Sequence, residues 1–137
     1  MDTKELTRSF FALIDEMQSG KTPWSRFDDI ITPSFKAFVP GQMLEADGFK
    51  KVMQTFGEGF SDSSHTIYDL AAEANVVMVR ELWQGVQTGV FLGVEPTGQR
   101  VESMVMALLK FKDGKVDEFH ESFDTLDLMR KTGVLTQ

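Results

Sequence analysis

The chain contains no cysteine, only two histidines and one tyrosine, and four prolines in 137 residues. Without cysteine there is neither a disulfide framework nor a thiolate to serve as nucleophile or metal ligand. The two histidines, His65 and His120, are far apart in sequence, so no dedicated metal site is expected, and no motif calls for a cofactor. Basic residues are also scarce. Fourteen Lys plus Arg stand against 21 Asp plus Glu, a formal charge of -7, and no segment gathers the positive ones. Nucleic acid and anionic membrane are therefore poor partners. No apolar stretch approaches the ~20 residues of a membrane helix. Met1 to Glu5 carry mixed charge rather than the basic flank and apolar run of a targeting signal, so a cytoplasmic location is expected.

What is abundant is apolar. Such residues make up 42% of the chain, with twelve Phe and eight Met, enough to build one sizeable core, and residues 1–137 read as a single domain. From Asp2 to Met17, Leu6, Phe10, Leu13, Ile14 and Met17 recur at helical spacing behind a capping box of Asp2 and Glu5. A shorter helix is predicted after Thr22-Pro23, with Trp24, Phe27, Ile30 and Ile31 on its apolar face and an end before Pro33. Phe35 to Val39 suggest a short strand closed by a Pro40-Gly41 turn. A third helix carries Phe49, Val52, Met53, Phe56 and Phe60 on one face, with Asp47 as its cap.

Past Ser61–Ser64 the period changes to that of strands. Thr66–Glu73 and Val76–Trp83 flank an Ala74-Asn75 turn, and Val101–Phe111 and Lys115–Phe123 flank an Asp113-Gly114 turn. Val101–Phe111 is apolar on both parities, as for a strand covered on both faces. Leu126–Lys131 forms a final helical turn. Helices gathered early and antiparallel strands gathered late define an α+β domain with helices on one face of a curved sheet.

The segment Thr88-Gly-Val-Phe-Leu-Gly-Val-Glu-Pro-Thr-Gly-Gln-Arg-Val101, with Asp113-Gly-Lys-Val116 and Glu118-Phe-His-Glu-Ser-Phe-Asp124 after it, resembles the SnoaL-like polyketide cyclases of the nuclear transport factor 2-like superfamily. The resemblance implies a cone-shaped α+β barrel, N-terminal helices packed on a strongly curved, mainly antiparallel sheet around a pocket, and frequent homodimers. It also implies an intramolecular aldol reaction driven by one acidic residue without a cofactor, and by motif position that residue is Asp124. Two positions depart from the family pattern: Gln87 stands in place of a histidine, and His120 in place of a tryptophan four residues before the aspartate.

On these grounds the expected ligand is a small apolar or aromatic molecule, with Asp124 as the catalytic acid-base group. Beside Phe123 and Leu126 its carboxyl would ionise less readily if buried, although Asp is also a common helix cap. His120, Trp83, Gln87, His65 and Arg80 are candidate ligand contacts. His120 and Asp124 lie ~13 Å apart along a strand and cannot form a dyad. Arg80 and Glu81 must face opposite sides of the sheet, so at most one of these charges points inward. Three readings follow: an acid-base enzyme of aldol cyclase, isomerase or dehydratase type, a binding or interaction module without chemistry, and an epoxide hydrolase-like site that would need Arg80 between two inward carboxylates.

Overall fold

The computed structural model describes residues 1–135. Helix α1 spans Thr3–Gln18, and the Asp2 carboxylate caps it by accepting the Glu5 N–H at 2.8 Å. Its buried face is Phe10, Phe11, Leu13, Ile14 and Met17, as the spacing dictates. The second predicted helix is instead a single 3₁₀ stretch, Trp24–Asp29. Strand β1, Ile31–Val39, starts earlier than expected and runs through Pro33. The β-branched Ile31 and Thr32, with Thr32 held extended by the following proline, favour the strand here. After the Pro40-Gly41 turn a short β2, Gln42–Leu44, pairs back on β1.

Helix α2 spans Ala46–Gly59 with Glu45 at the cap position, so Asp47 lies in its first turn rather than before it. Four long strands follow: β3 (Phe60–Glu73), β4 (Val76–Gln87), β5 (Arg100–Lys112) and β6 (Lys115–Phe123). Helix α3, Thr125–Thr132, closes the chain. Phe60, expected on the helix, opens β3 instead. The Asp113-Gly114 hairpin turn has both residues at positive φ, the primed geometry that matches strand twist.

The sheet order is β2-β1-β6-β5-β4-β3, antiparallel throughout except for the β1–β6 pair. This curled sheet and its helices make the α+β cone. Alternation sorts the side chains: Val77, Val79, Glu81, Trp83 and Gln87 of β4 point inward, with Val105, Ala107 and Leu109 of β5. Met104 and Met106 of β5 point outward and are 43% and 48% exposed, so the strand expected to be covered on both faces is open on its outer one. Phe10, Phe27, Phe49 and Phe119 pack with tilted rings in the main core, with centroids 5.2–5.9 Å apart. A second cluster, Phe60, Trp83, Phe91, Val101, Val105 and Leu128, fills the other end.

One irregularity decides what the last strand presents. Phe111 of β5 pairs with Val116, but the next residue, Lys110, pairs with Glu118. Asp117 is therefore an extra residue, a β-bulge. Its carboxylate accepts the hydroxyls of Thr32 at 2.6 Å and Ser34 at 2.8 Å, tying the bulge to β1. Beyond it the parity is reversed: Phe119, Glu121 and Phe123 face inward, while His120 faces out.

Candidate functional site

Between the helices and the concave face lies a pocket holding about 510 Å³ of space not occupied by protein atoms, its solvent mouth included. Helix α1 lends it Phe11, Ile14 and Gln18, and α2 lends Met53 and Phe56. The sheet supplies His65 from β3, Trp83 from β4, Ser103 and Val105 from β5, and Phe119, Glu121 and Phe123 from β6, with Leu128 of α3 at one side. The walls are mainly aromatic and aliphatic, with a few convergent polar groups, the usual composition of a small-molecule site.

Those polar groups form a row across the inner face. His65 sits opposite Trp83, and its diagonal neighbour on β4 is Glu81. Glu81 pairs with Val105 and Glu121 with Ala107, so the two carboxyls flank β5 across small side chains. Asp15 comes down on this row from α1. Its Oδ1 is 2.7 Å from His65 Nδ1 and its Oδ2 accepts the His65 backbone N–H at 3.1 Å. The aspartate thus fixes the ring and leaves Nε2 as the nitrogen turned to other partners.

Burial acts strongly on these groups. Glu81 is fully buried, neither carboxyl oxygen has a hydrogen-bond partner, and desolvation pushes its pKa to about 8 despite the counteracting charge of His65. Glu121 is pushed by the same cause to about 7, again against His65. Burial alone would lower the His65 pKa, but the hydrogen bond and charge of Asp15, together with Glu81 and Glu121, outweigh it and raise it. Near neutral pH the row therefore combines an imidazole whose protonated form is favoured by its acidic neighbours, a carboxyl poised between its two forms and a second carboxyl that keeps its proton.

The residues singled out from sequence fall on both sides of this row. His65 and Trp83 line the pocket. Asp124 does not line it: the side chain is exposed and caps α3, accepting the Asp127 N–H at 2.9 Å. His120 stands on the outer face, stacked on Phe38 at 4.4 Å and 3.0 Å from Glu118. Arg80 is outward too, bonded to Asp69 at 2.7 Å and lying over the Tyr68 ring, so no epoxide hydrolase-like arrangement around it exists. Gln87 is fully buried away from the pocket lining. Its amide donates to the Thr132 carbonyl and accepts from Thr97, which docks α3 and the Thr88–Gln99 loop on the sheet.

Asp15, Gln18 and Glu121 were not singled out, and Glu81 entered only as the alternative to an inward Arg80. The available signal was a charge on an apolar parity: Glu81 shares a face with Val77, Val79 and Trp83, and Glu121 with Phe119 and Phe123. Among the described residues, no three His, Asp or Glu side chains lie where they could jointly hold a metal ion, and no helix is long and apolar enough to cross a membrane.

A curled sheet with helices over a pocket on its concave side is the cone fold of the nuclear transport factor 2-like proteins. The profile of the SnoaL-like polyketide cyclases matches residues 12–132, and the chain belongs to that family. Among solved structures, AclR of Streptomyces galilaeus, provisionally assigned as a hydroxylase, superposes with a TM-score of 0.83 at 25% identity, covering 98% of this chain and 97% of its own. A provisionally assigned SnoaL-like polyketide cyclase from Jannaschia sp. CCS1 gives 0.82 at 25% identity, with 98% and 93% coverage. IdmH of Streptomyces antibioticus, also provisionally assigned as a polyketide cyclase, gives 0.79 at 19% identity, with 94% and 96% coverage, a likeness of fold. No curated protein sequence matches the chain significantly.

Proposed function

We propose that the protein binds a small apolar or aromatic carbonyl compound and acts on it by cofactor-independent acid–base catalysis, with Glu121 rather than Asp124 as the proton carrier. The observation that carries this reading is the Glu121 carboxyl in the pocket wall, ionising near neutrality on the same face as His65, whose pKa is raised by Asp15. A base of that strength takes a proton from the carbon beside a carbonyl, and the electron pair moves to the carbonyl oxygen as an enolate. His65, oriented by Asp15, supplies an N–H to that oxygen. In an aldol closure the enolate carbon attacks a second carbonyl of the same molecule, and the new alkoxide recovers the proton from Glu121. Isomerisation and dehydration use the same two groups.

The test needs no knowledge of the natural substrate. 2-Tetralone in D2O exchanges its α-protons slowly, and NMR follows the exchange directly. We expect the protein to accelerate it and Glu121→Gln to lose about 100-fold or more of that acceleration, with Asp124→Asn unaffected because Asn caps a helix as well as Asp. Acceleration that survives in Glu121→Gln would sink the assignment. Saturable binding of tetralone without exchange would instead favour the binding-module reading.

A homodimer is the second part of the reading. It is supported by the outer sheet face, where Met78, Met104 and Met106 are exposed with Tyr68 beside them. Cross-strand pairing of Met104 with Leu82 and of Met78 with Leu108 makes the patch continuous.

A further inference from the structure

The inner face of β5 reads Val101, Ser103, Val105, Ala107, Leu109 and Phe111, apolar at every position but one. That one, Ser103, is 8% exposed and lines the pocket. Its Oγ has no hydrogen-bond partner among the described residues, yet it is not shut off from solvent as the Glu81 oxygens are, and the surface it keeps is on the pocket. A buried hydroxyl without a partner costs about 1–3 kcal/mol. Alanine, which the same face carries at position 107, would fill the space without that cost. A polar atom left open on a ligand-binding wall discriminates between ligands.

Strand register locates this hydroxyl within the site. Ser103 pairs with Trp83, which pairs in turn with His65, whereas Glu121 pairs with Ala107, four residues further along β5. At ~3.3 Å per residue the Ser103 and Ala107 positions are ~13 Å apart along the strand. The paired side chains of Val105 and Phe123 lie between them, both on the pocket wall. Of the other polar side chains of the lining, His65 and Glu121 form the acid–base end. Gln18 gives its amide N–H to the Met53 carbonyl at 3.0 Å, and its Oε1 is shut off from solvent. Ser103 is what remains to meet a polar group on the rest of a ligand.

We propose that Ser103 is a specificity-determining residue of the pocket: its hydroxyl bonds an oxygen function, hydroxyl or carbonyl, that the ligand carries at the end remote from the carbonyl handled by Glu121 and His65. A serine hydroxyl rotates and both donates and accepts, so it serves either group. The site then selects compounds oxygenated at both ends over those with a hydrocarbon end. This deepens the reading given above and rests on the pocket being the ligand site, but its binding test does not depend on Glu121 performing chemistry.

Two probes of one shape, 6-hydroxy-2-tetralone and 6-methyl-2-tetralone, differ only in the remote group. Binding is followed by the NMR shift of the Trp83 indole N–H, since Trp83 lines the pocket and the other tryptophan, Trp24, does not. The expected result is that both probes bind, and that Ser103→Ala lowers the affinity for the hydroxy compound relative to the methyl compound about tenfold. With no protein partner to lose, Ser103→Ala should also melt no lower than the wild type. An unchanged ratio in Ser103→Ala, with both probes bound, overturns the role of Ser103 and leaves the pocket reading intact. A clear drop in melting temperature shows that the hydroxyl serves the fold and overturns it as well. No shift of Trp83 with either probe overturns both the role of Ser103 and the pocket reading.

Discussion

Glu81 is the least comfortable residue in the protein: a carboxyl with no exposure and no hydrogen-bond partner, where a Val or Leu would pack. Its folded pKa of about 8 against an ordinary 4.5 means that the native chain holds a proton the unfolded chain releases. Between pH 4.5 and 8 the native state binds more protons, so stability from this group falls as pH rises. His65 contributes with the same sign: its raised pKa stabilises fully below its ordinary 6.5 and is lost as pH climbs through the folded value. Glu81→Gln should therefore flatten the decline in melting temperature between pH 5 and 8. At pH 8 it should stabilise the protein by on the order of 2 kcal/mol. A thermal melt series across that range checks this, and an unaltered slope would show that Glu81 is not held protonated. Retaining so costly a side chain is consistent with a role at the site. Beside His65 and Glu121 it supplies negative potential when ionised and little when neutral.

At the scale of elements, periodicity made most of the architecture legible. The apolar faces of α1 and α2 follow from residue spacing, because their side chains obey one period from end to end, and the two hairpins follow from their turn residues. What failed to show is local. The 3₁₀ stretch and the early start of β1 were obscured because Ile30 and Ile31 fit a helical stripe as well as a strand. On β6 the uneven alternation of Val116 with Phe119 and Phe123 does not locate the bulge, and Asp124 is marked as the acidic residue by its motif position alone. The extra residue is Asp117, and its two hydroxyl partners on β1 hold it. Asp117→Ala should cost about 1–2 kcal/mol in urea denaturation through the loss of those bonds. Thr32→Val with Asp117 intact should cost less, since Ser34 still donates. Equal losses in the two variants would count against a shared anchor.

For the molecule as a whole, the site could be read in part because its aromatic walls announce themselves by parity. The polar row could not, because Asp15, His65, Glu81 and Glu121 come from four different elements and meet only once the sheet has curled beneath α1. The same curvature leaves the methionine-rich outer face open. If that face joins two copies, Met106→Lys should shift the protein from dimer to monomer in sedimentation analysis without disturbing the pocket, which faces the other way. A wild-type protein that is monomeric at micromolar concentration would remove the face from consideration.

The bulge on β6 also governs how positions are transferred between relatives. Because Asp117 is absorbed locally, a chain one residue shorter at this point can present the same inner face. Position counting from the Asp113-Gly114 turn then slips by one and exchanges inner residues for outer ones. Alignments anchored instead on the α3 cap, Asp124, and counted backward keep Glu121 in register. In this chain the acidic residue of the pocket wall is Glu121, three places before that cap, and not Asp124 at the cap itself.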